Sequence, residues 1–111
     1  MQKSNAREMG RRPTSPAELL TKTVLPATGL TKNEIADALG ITRQTLHNVL
    51  TEKTPVTPQM AVRLGKLFGS GPELWHRMQS AVDLWYAIGT TDVSNIRTLK
   101  GAPFALKNEN Q

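Results

Sequence analysis

The stretch Thr31–Leu50, TKNEIADALGITRQTLHNVL, limits what this chain can fold into more than any other. It reads as two short helices joined by a tight turn. Thr31 followed three residues later by Glu34 forms a capping box, in which each side chain satisfies a backbone N–H at the helix start. Ile35, Ala36 and Leu39 share one apolar face. Gly40 ends the first helix, because a residue without Cβ enters the left-handed conformation at little cost. Thr42 is placed to cap a second helix, Arg43–Leu50. A small residue (Ala36), a glycine four positions on, and the apolar anchors Ile41 and Leu46 together form the spacing of a helix-turn-helix. An ordinary helical hairpin shares these caps and this periodicity, so the outer face of the second helix has to discriminate.

At ~100° per residue, Leu46, Val49 and Leu50 cluster on one side of that helix. Gln44 and Asn48 point most nearly the other way, Thr45 and His47 flank them, and Arg43 lies on the first turn. The outward set contains no Glu, Asp or Ala, whereas a merely solvated helix usually carries Glu and Lys. Arg can pair with guanine, Gln or Asn with adenine, and a Thr methyl can pack on the methyl of thymine. The free N–H groups and dipole of the helix start also suit a phosphate. The reading is a helix that interrogates duplex DNA.

A chain of 111 residues suits one domain with short tails and can bury a core unaided. It contains no cysteine, which removes disulfides and thiolate metal sites and fits a reducing cytoplasm. No apolar run approaches the ~18 residues of a membrane span. The N-terminus has no apolar signal core. The formal net charge of +5 favours an anionic partner, of which nucleic acid is one. Lys3, Arg7, Arg11 and Arg12 make a basic arm over residues 1–12, expected to be mobile, and Lys32, Arg43 and Lys53 surround the helix pair.

A first helix is expected from the N-cap Ser15, Pro16 and the capping-box Glu18. Leu19, Leu20 and Val24 form its buried stripe, Pro26 and Gly29 end it, and Leu30 tucks beneath the next helix. Thr51–Val56 is a loop in which Lys53 can meet a phosphate. Thr57 and Pro58 open a fourth helix with the stripe Met60, Ala61, Leu64, Leu67 and Phe68. Pro72 opens the last, PELWHRMQSAVDLWYAI, ending near Gly89. Its apolar face is wider than one small core needs. Trp75, Met78, Val82, Trp85 and Tyr86 are therefore candidates for pairing with a second copy. Trp75 is equally well explained as core, while Trp85 and Tyr86 favour an interface, where such residues are enriched. Over residues 90–111, Ile96, Leu99, Phe104 and Leu106 offer a short docked segment and Lys107–Gln111 reads as disordered. No strand pattern is present. The expected class is all-α, a five-helix bundle of the lambda-repressor-like type occupying residues 13–89.

Taken in order, RPTSPAELL (Arg12–Leu20), VLPATGLTKNEIADALGITRQT (Val24–Thr45), TPQMAVRLGKLFG (Thr57–Gly69) and PELWHRMQSAVDLW (Pro72–Trp85) resemble the HigA-type antitoxins of the Xre class. The resemblance covers Arg12 to Trp85. It implies a dimeric repressor in bacterial cytoplasm that binds a palindromic operator, controls its own operon and neutralises a HigB-type, mRNA-cleaving toxin. It also implies DNA contacts by Thr42, Arg43, Gln44 and Thr45, which match the family's Ser/Thr-Arg-Gln-Thr helix start; Thr31 and Lys32 would touch the DNA backbone. Two departures stand out. Family members often carry Ser and Arg where this chain has His47 and Asn48, and often Gly after the recognition helix where this chain has Glu52. Some members of the wider class regulate transcription without a toxin, which is the alternative reading.

Catalysis has little support. His47 and His76 lack a metal-ligand spacing. No serine or aspartate sits in a nucleophile motif. The GSGP turn at Gly69–Pro72 lacks the Gly-Lys-Ser/Thr of a phosphate loop. No cofactor or metal is expected.

Overall fold

The structure, a computed structural model, describes residues 10–100. Lys3, Arg7, Phe104 and Leu106 therefore lie outside the described residues. All the regular structure within them is helical. Helix α1 covers residues 16–28 in three successive segments: α-helix over Pro16–Leu19, π-helix over Leu20–Val24 and α-helix over Leu25–Thr28. Four further helices follow: α2 (Lys32–Leu39), α3 (Arg43–Leu50), α4 (Pro58–Phe68) and α5 (Pro72–Thr90).

Both expected capping boxes form. Ser15 accepts the Glu18 N–H while Glu18 accepts the Ser15 N–H, and Thr31 and Glu34 repeat the exchange. Pro26 does not end α1. Proline lacks the N–H for an i→i−4 bond, and its ring crowds the carbonyl four residues back. The helix absorbs it by widening one turn, so that the Leu25 N–H reaches back five residues to Leu20. The Thr21 hydroxyl bonds the Ala17 carbonyl at 2.9 Å beside this turn. The chain then leaves the helix through Gly29 at φ 71°. Leu30, expected beneath α2, is 49% exposed, in a turn where its amide bonds the Thr28 hydroxyl at 3.0 Å.

The core is one cluster. Leu20 from α1, Ile35, Ala36 and Leu39 from α2, and Leu46, Val49 and Leu50 from α3 meet Met60, Ala61 and Leu64 from α4 and Trp75 from α5. Burial of a large aliphatic or aromatic side chain is worth about 1.5–3 kcal/mol. Ala36 and Ala61, both nearly inaccessible, are small where helices approach each other.

Helices α4 and α5 form a tight hairpin. The amides of Gly69 and Gly71 both bond the Gly65 carbonyl, at 3.0 and 3.2 Å. A Cβ on Gly65 would lie 2.2 Å from the Gly71 carbonyl carbon. Trp75 fills the space beneath the turn, its indole N–H bonding Ser70 Oγ at 3.0 Å and its ring tilted against Phe68. Gln79 of α5 accepts the Val56 N–H at 2.8 Å, tying the α3–α4 loop to the last helix. Beyond α5, Ile96 and Leu99 are exposed and dock on nothing among the described residues.

Gly65→Ala is expected to destabilise the fold by about 2–3 kcal/mol, because the new methyl meets backbone that has no room to move. Gly89→Ala, whose Cβ would enter open space, should be neutral or slightly stabilising. Urea unfolding of both variants measures the difference.

Candidate nucleic-acid interface

Helix α3 is an eight-residue segment whose two sides differ completely. Thr42 caps it by accepting the Thr45 N–H at 3.0 Å. Leu46, Val49 and Leu50 are buried, while Arg43, Gln44, Thr45 and His47 are exposed and Asn48 is half-buried. Two hydrogen bonds run across the outer face. The Thr42 hydroxyl donates to Thr45 Oγ1 at 2.8 Å, and Gln44 Nε2 donates to Asn48 Oδ1 at 2.9 Å.

The turn before α3 is closed by paired backbone bonds, Gly40 N–H to Asp37 and Ile41 N–H to Ala36, with Gly40 at φ 75°. This is the Schellman closure, and it needs a left-handed residue. Arg63 of α4 reaches across to bond the Leu39 carbonyl at 2.8 Å. A cation at this helix end also opposes the negative pole of the α2 dipole.

The exit from α3 repeats that closure without a glycine. The Glu52 N–H bonds Val49 and the Lys53 N–H bonds Asn48, with Glu52 at φ 64°. A side chain there costs about 1–2 kcal/mol in backbone strain. The carboxylate is held from three directions. Arg12 donates to both oxygens, at 2.9 and 3.2 Å, and buried Ser15 donates its hydroxyl at 2.7 Å. The same guanidinium lies 3.4 Å from Glu18 and 5.9 Å from the ring centre of Tyr86. Hydrogen bonds from Arg12 and then Ser15 hold the Glu52 carboxyl below its ordinary range, and Glu52 in turn raises the Arg12 pKa. Arg12, expected within the mobile arm, is thus tied into the body of the fold.

The remaining expected contact residues are distributed around α3. Lys53 is exposed in the loop at its exit, and Lys32 is exposed on the first turn of α2. Thr31 is exposed, but its amide and hydroxyl both donate to Glu34 Oε1, at 2.8 and 3.2 Å, so Lys32 carries the more available donors there.

Two residues expected at a self-association surface are core instead. Trp75 is 1% exposed and Val82 5%, leaving neither a side chain to offer a second copy. Helical spacing shows which residues share a face, but not which neighbour covers it. The hairpin with α4 places Phe68 and Ser70 over Trp75. Met78 and Trp85 are half-buried and Tyr86 is exposed, with Trp85 and Tyr86 edge to face at 5.0 Å. Sequence reasoning also missed the Arg12–Ser15–Glu52 cluster and the Arg63 brace. The one signal available was Glu52 standing where a glycine is usual.

Because the Glu52 pKa is depressed in the fold, its contribution to stability is complete above pH ~4.5 and is lost as pH falls through the lower folded value. Glu52→Gln is expected to cost up to about 1 kcal/mol near neutral pH, the scale of a partly exposed ion pair. The variant should converge on the parent as pH falls below the depressed folded value. Denaturant midpoints measured across that range test this.

Comparison with known proteins agrees with the geometry. A helix-turn-helix family model matches residues 27–75. An HTH-type transcriptional regulator of Haemophilus influenzae is 36% identical over 77 residues, covering 69% of this chain and 72% of that protein. Antitoxin HigA-1 of Vibrio cholerae is 37% identical over 79 residues, 71% of this chain and 74% of that one. Among solved structures, antitoxin GraA in complex with its operator superposes with a TM-score of 0.73 at 31% identity, covering 81% of this chain and 94% of that chain. Pseudomonas aeruginosa antitoxin HigA with the higBA promoter gives 0.70 at 25% identity, covering 80% and 99%. The chain belongs to the Xre-class helix-turn-helix family that includes the HigA-type antitoxins.

Proposed function

We propose that this chain is a sequence-specific, homodimeric operator-binding antitoxin that represses its own operon and neutralises a HigB-type toxin. The observation that carries the DNA-binding part is the outer face of α3. Arg43, Gln44, Thr45 and His47 stand exposed on a short helix clamped at both ends. Such a helix fits a major groove, with Arg43, Gln44, Thr45 and His47 toward base edges, Asn48 behind Gln44, and Thr31, Lys32, Thr42 and Lys53 near the sugar–phosphate backbone. A two-fold dimer sets two such helices about 34 Å apart, one turn of DNA.

Helix α5 supports self-association. Leu84 is 60% exposed, and Tyr86 and Ile88 are also exposed beside it. The Trp85 indole N–H is buried without an acceptor among the described residues, which a partner carbonyl would satisfy. Toxin neutralisation rests on the similarity to HigA-1 and GraA. The similarity to an HTH-type transcriptional regulator of Haemophilus influenzae supports the second reading, a stand-alone repressor.

Gel shifts on the DNA upstream of the gene provide the first test. Arg43→Ala with Gln44→Ala should abolish the specific shift, and an unchanged footprint would overturn the assignment. Lys53→Ala should weaken all sequences alike and reduce the salt slope by about 0.9. Leu84→Glu is expected to convert a dimer to a monomer in light scattering. Co-expression with the adjacent reading frame, followed by co-purification, separates the two readings: capture of a small ribonuclease supports the antitoxin, and its absence supports the stand-alone repressor.

A further inference from the structure

We propose that Asn48 is a positioning residue which, by fixing the side-chain amide of Gln44, gives the recognition helix a preference for adenine at one position of each half-site. The proposal rests on the DNA-binding reading above and specifies its chemistry. A glutamine on a helix surface turns freely, and its amide offers donor and acceptor in either order. Here a neighbour favours one arrangement. Gln44 Nε2 donates to Asn48 Oδ1 at 2.9 Å, one helical turn along the exposed face. Its Nε2 is drawn toward the helix exit and its Oε1 is left on the other side.

Asn48 can act as the partner because its main chain is held and its side chain is partly enclosed. It is the one half-buried member of the outer polar set. Its carbonyl receives the amides of Lys53 at 2.9 Å and Thr54 at 3.1 Å, so its backbone is locked into the α3 exit. Thr42 and Thr45 are tied to each other, and among the described residues the Arg43 and His47 side chains make no hydrogen bond. Gln44 is therefore the long side chain of this face whose orientation is set before DNA arrives.

The fixed amide keeps an acceptor, Oε1, and one unused N–H beside it. In the major groove adenine offers the N6 amino donor next to the N7 acceptor, the complement of that pair. Guanine offers two acceptors, cytosine a donor, and thymine an acceptor with a methyl. With Oε1 taking the N6 hydrogen and Nε2 donating to N7, Gln44 matches adenine. Loss of Asn48 frees the amide to turn and weakens the distinction.

The test is binding-site selection from randomised duplexes with the full chain. Affinities are then measured on the selected duplex and on one with the critical base pair replaced. The parent should select A·T at one position per half-site, and Gln44→Ala should lose that preference. Asn48→Ala should reduce it by about 5- to 10-fold, while binding to the replaced duplex changes by less than about 2-fold. The double variant should match Gln44→Ala alone, since Asn48 acts through Gln44. Asn48→Asp keeps the acceptor and should restore the adenine preference, even though its charge weakens binding to every sequence. Four results overturn the proposal: Asn48→Ala keeping full preference, relaxing a different position, or weakening all duplexes equally, and a double variant losing more than Gln44→Ala. If Asn48→Ala does not fold, loss of the preference in Asn48→Asp overturns it instead. Failure of the parent to select any duplex would remove the DNA-binding reading itself, a distinct outcome.

Discussion

A helix of eight residues has little stability of its own in water, so α3 keeps its shape because Leu46, Val49 and Leu50 are buried against the rest of the chain. That one-sided burial is what leaves Arg43, Gln44, Thr45 and His47 facing outward together. The other helices can be understood as its support. Helix α2 packs beneath it, Arg63 of α4 holds the turn before it, and the Ser15 end of α1 holds the turn after it. The arrangement follows a general requirement for recognition: contact groups are useful when the elements carrying them are already in place.

The two ends of the helix-turn-helix reach the same backbone geometry by different chemistry. Gly40 adopts a left-handed conformation that costs it nothing sterically. Glu52 adopts one that does carry a cost, and its carboxylate is returned three hydrogen bonds from Arg12 and Ser15. Charge-assisted hydrogen bonds are individually stronger than neutral ones, although this pair is partly exposed and solvent screening reduces its worth. The glutamate also connects segments that a glycine would leave independent. Through it the chain before α1, the end of α3 and Tyr86 of α5 share one cluster.

Local signals were legible in the sequence and long-range ones were not. The capping boxes at Ser15 and Thr31, the N-cap at Thr42 and the glycine turn at Gly40 depend on residues within four positions of each other, and all formed as expected. The assignment of outward and inward residues on α3 followed from helical periodicity alone. Pro26 departs from the usual rule that proline stops a helix, because a single widened turn accommodates it. Trp75 and Trp85 share one helical stripe, and periodicity leaves Trp75 open between core and interface; the hairpin with α4 is what encloses it. The bond between Arg12 and Glu52 spans 40 positions, and no local pattern announces such a pair.

That difference between the two tryptophans makes the chain its own fluorimeter. The Trp75 indole sits in a dry interior with its N–H bonded to Ser70, an environment that shifts emission to the blue until the core opens. Trp85 lies edge-on to Tyr86 near the exposed part of α5. One ring therefore senses unfolding, while the other senses what happens at the surface beside it, and the two signals can be read without attaching a dye.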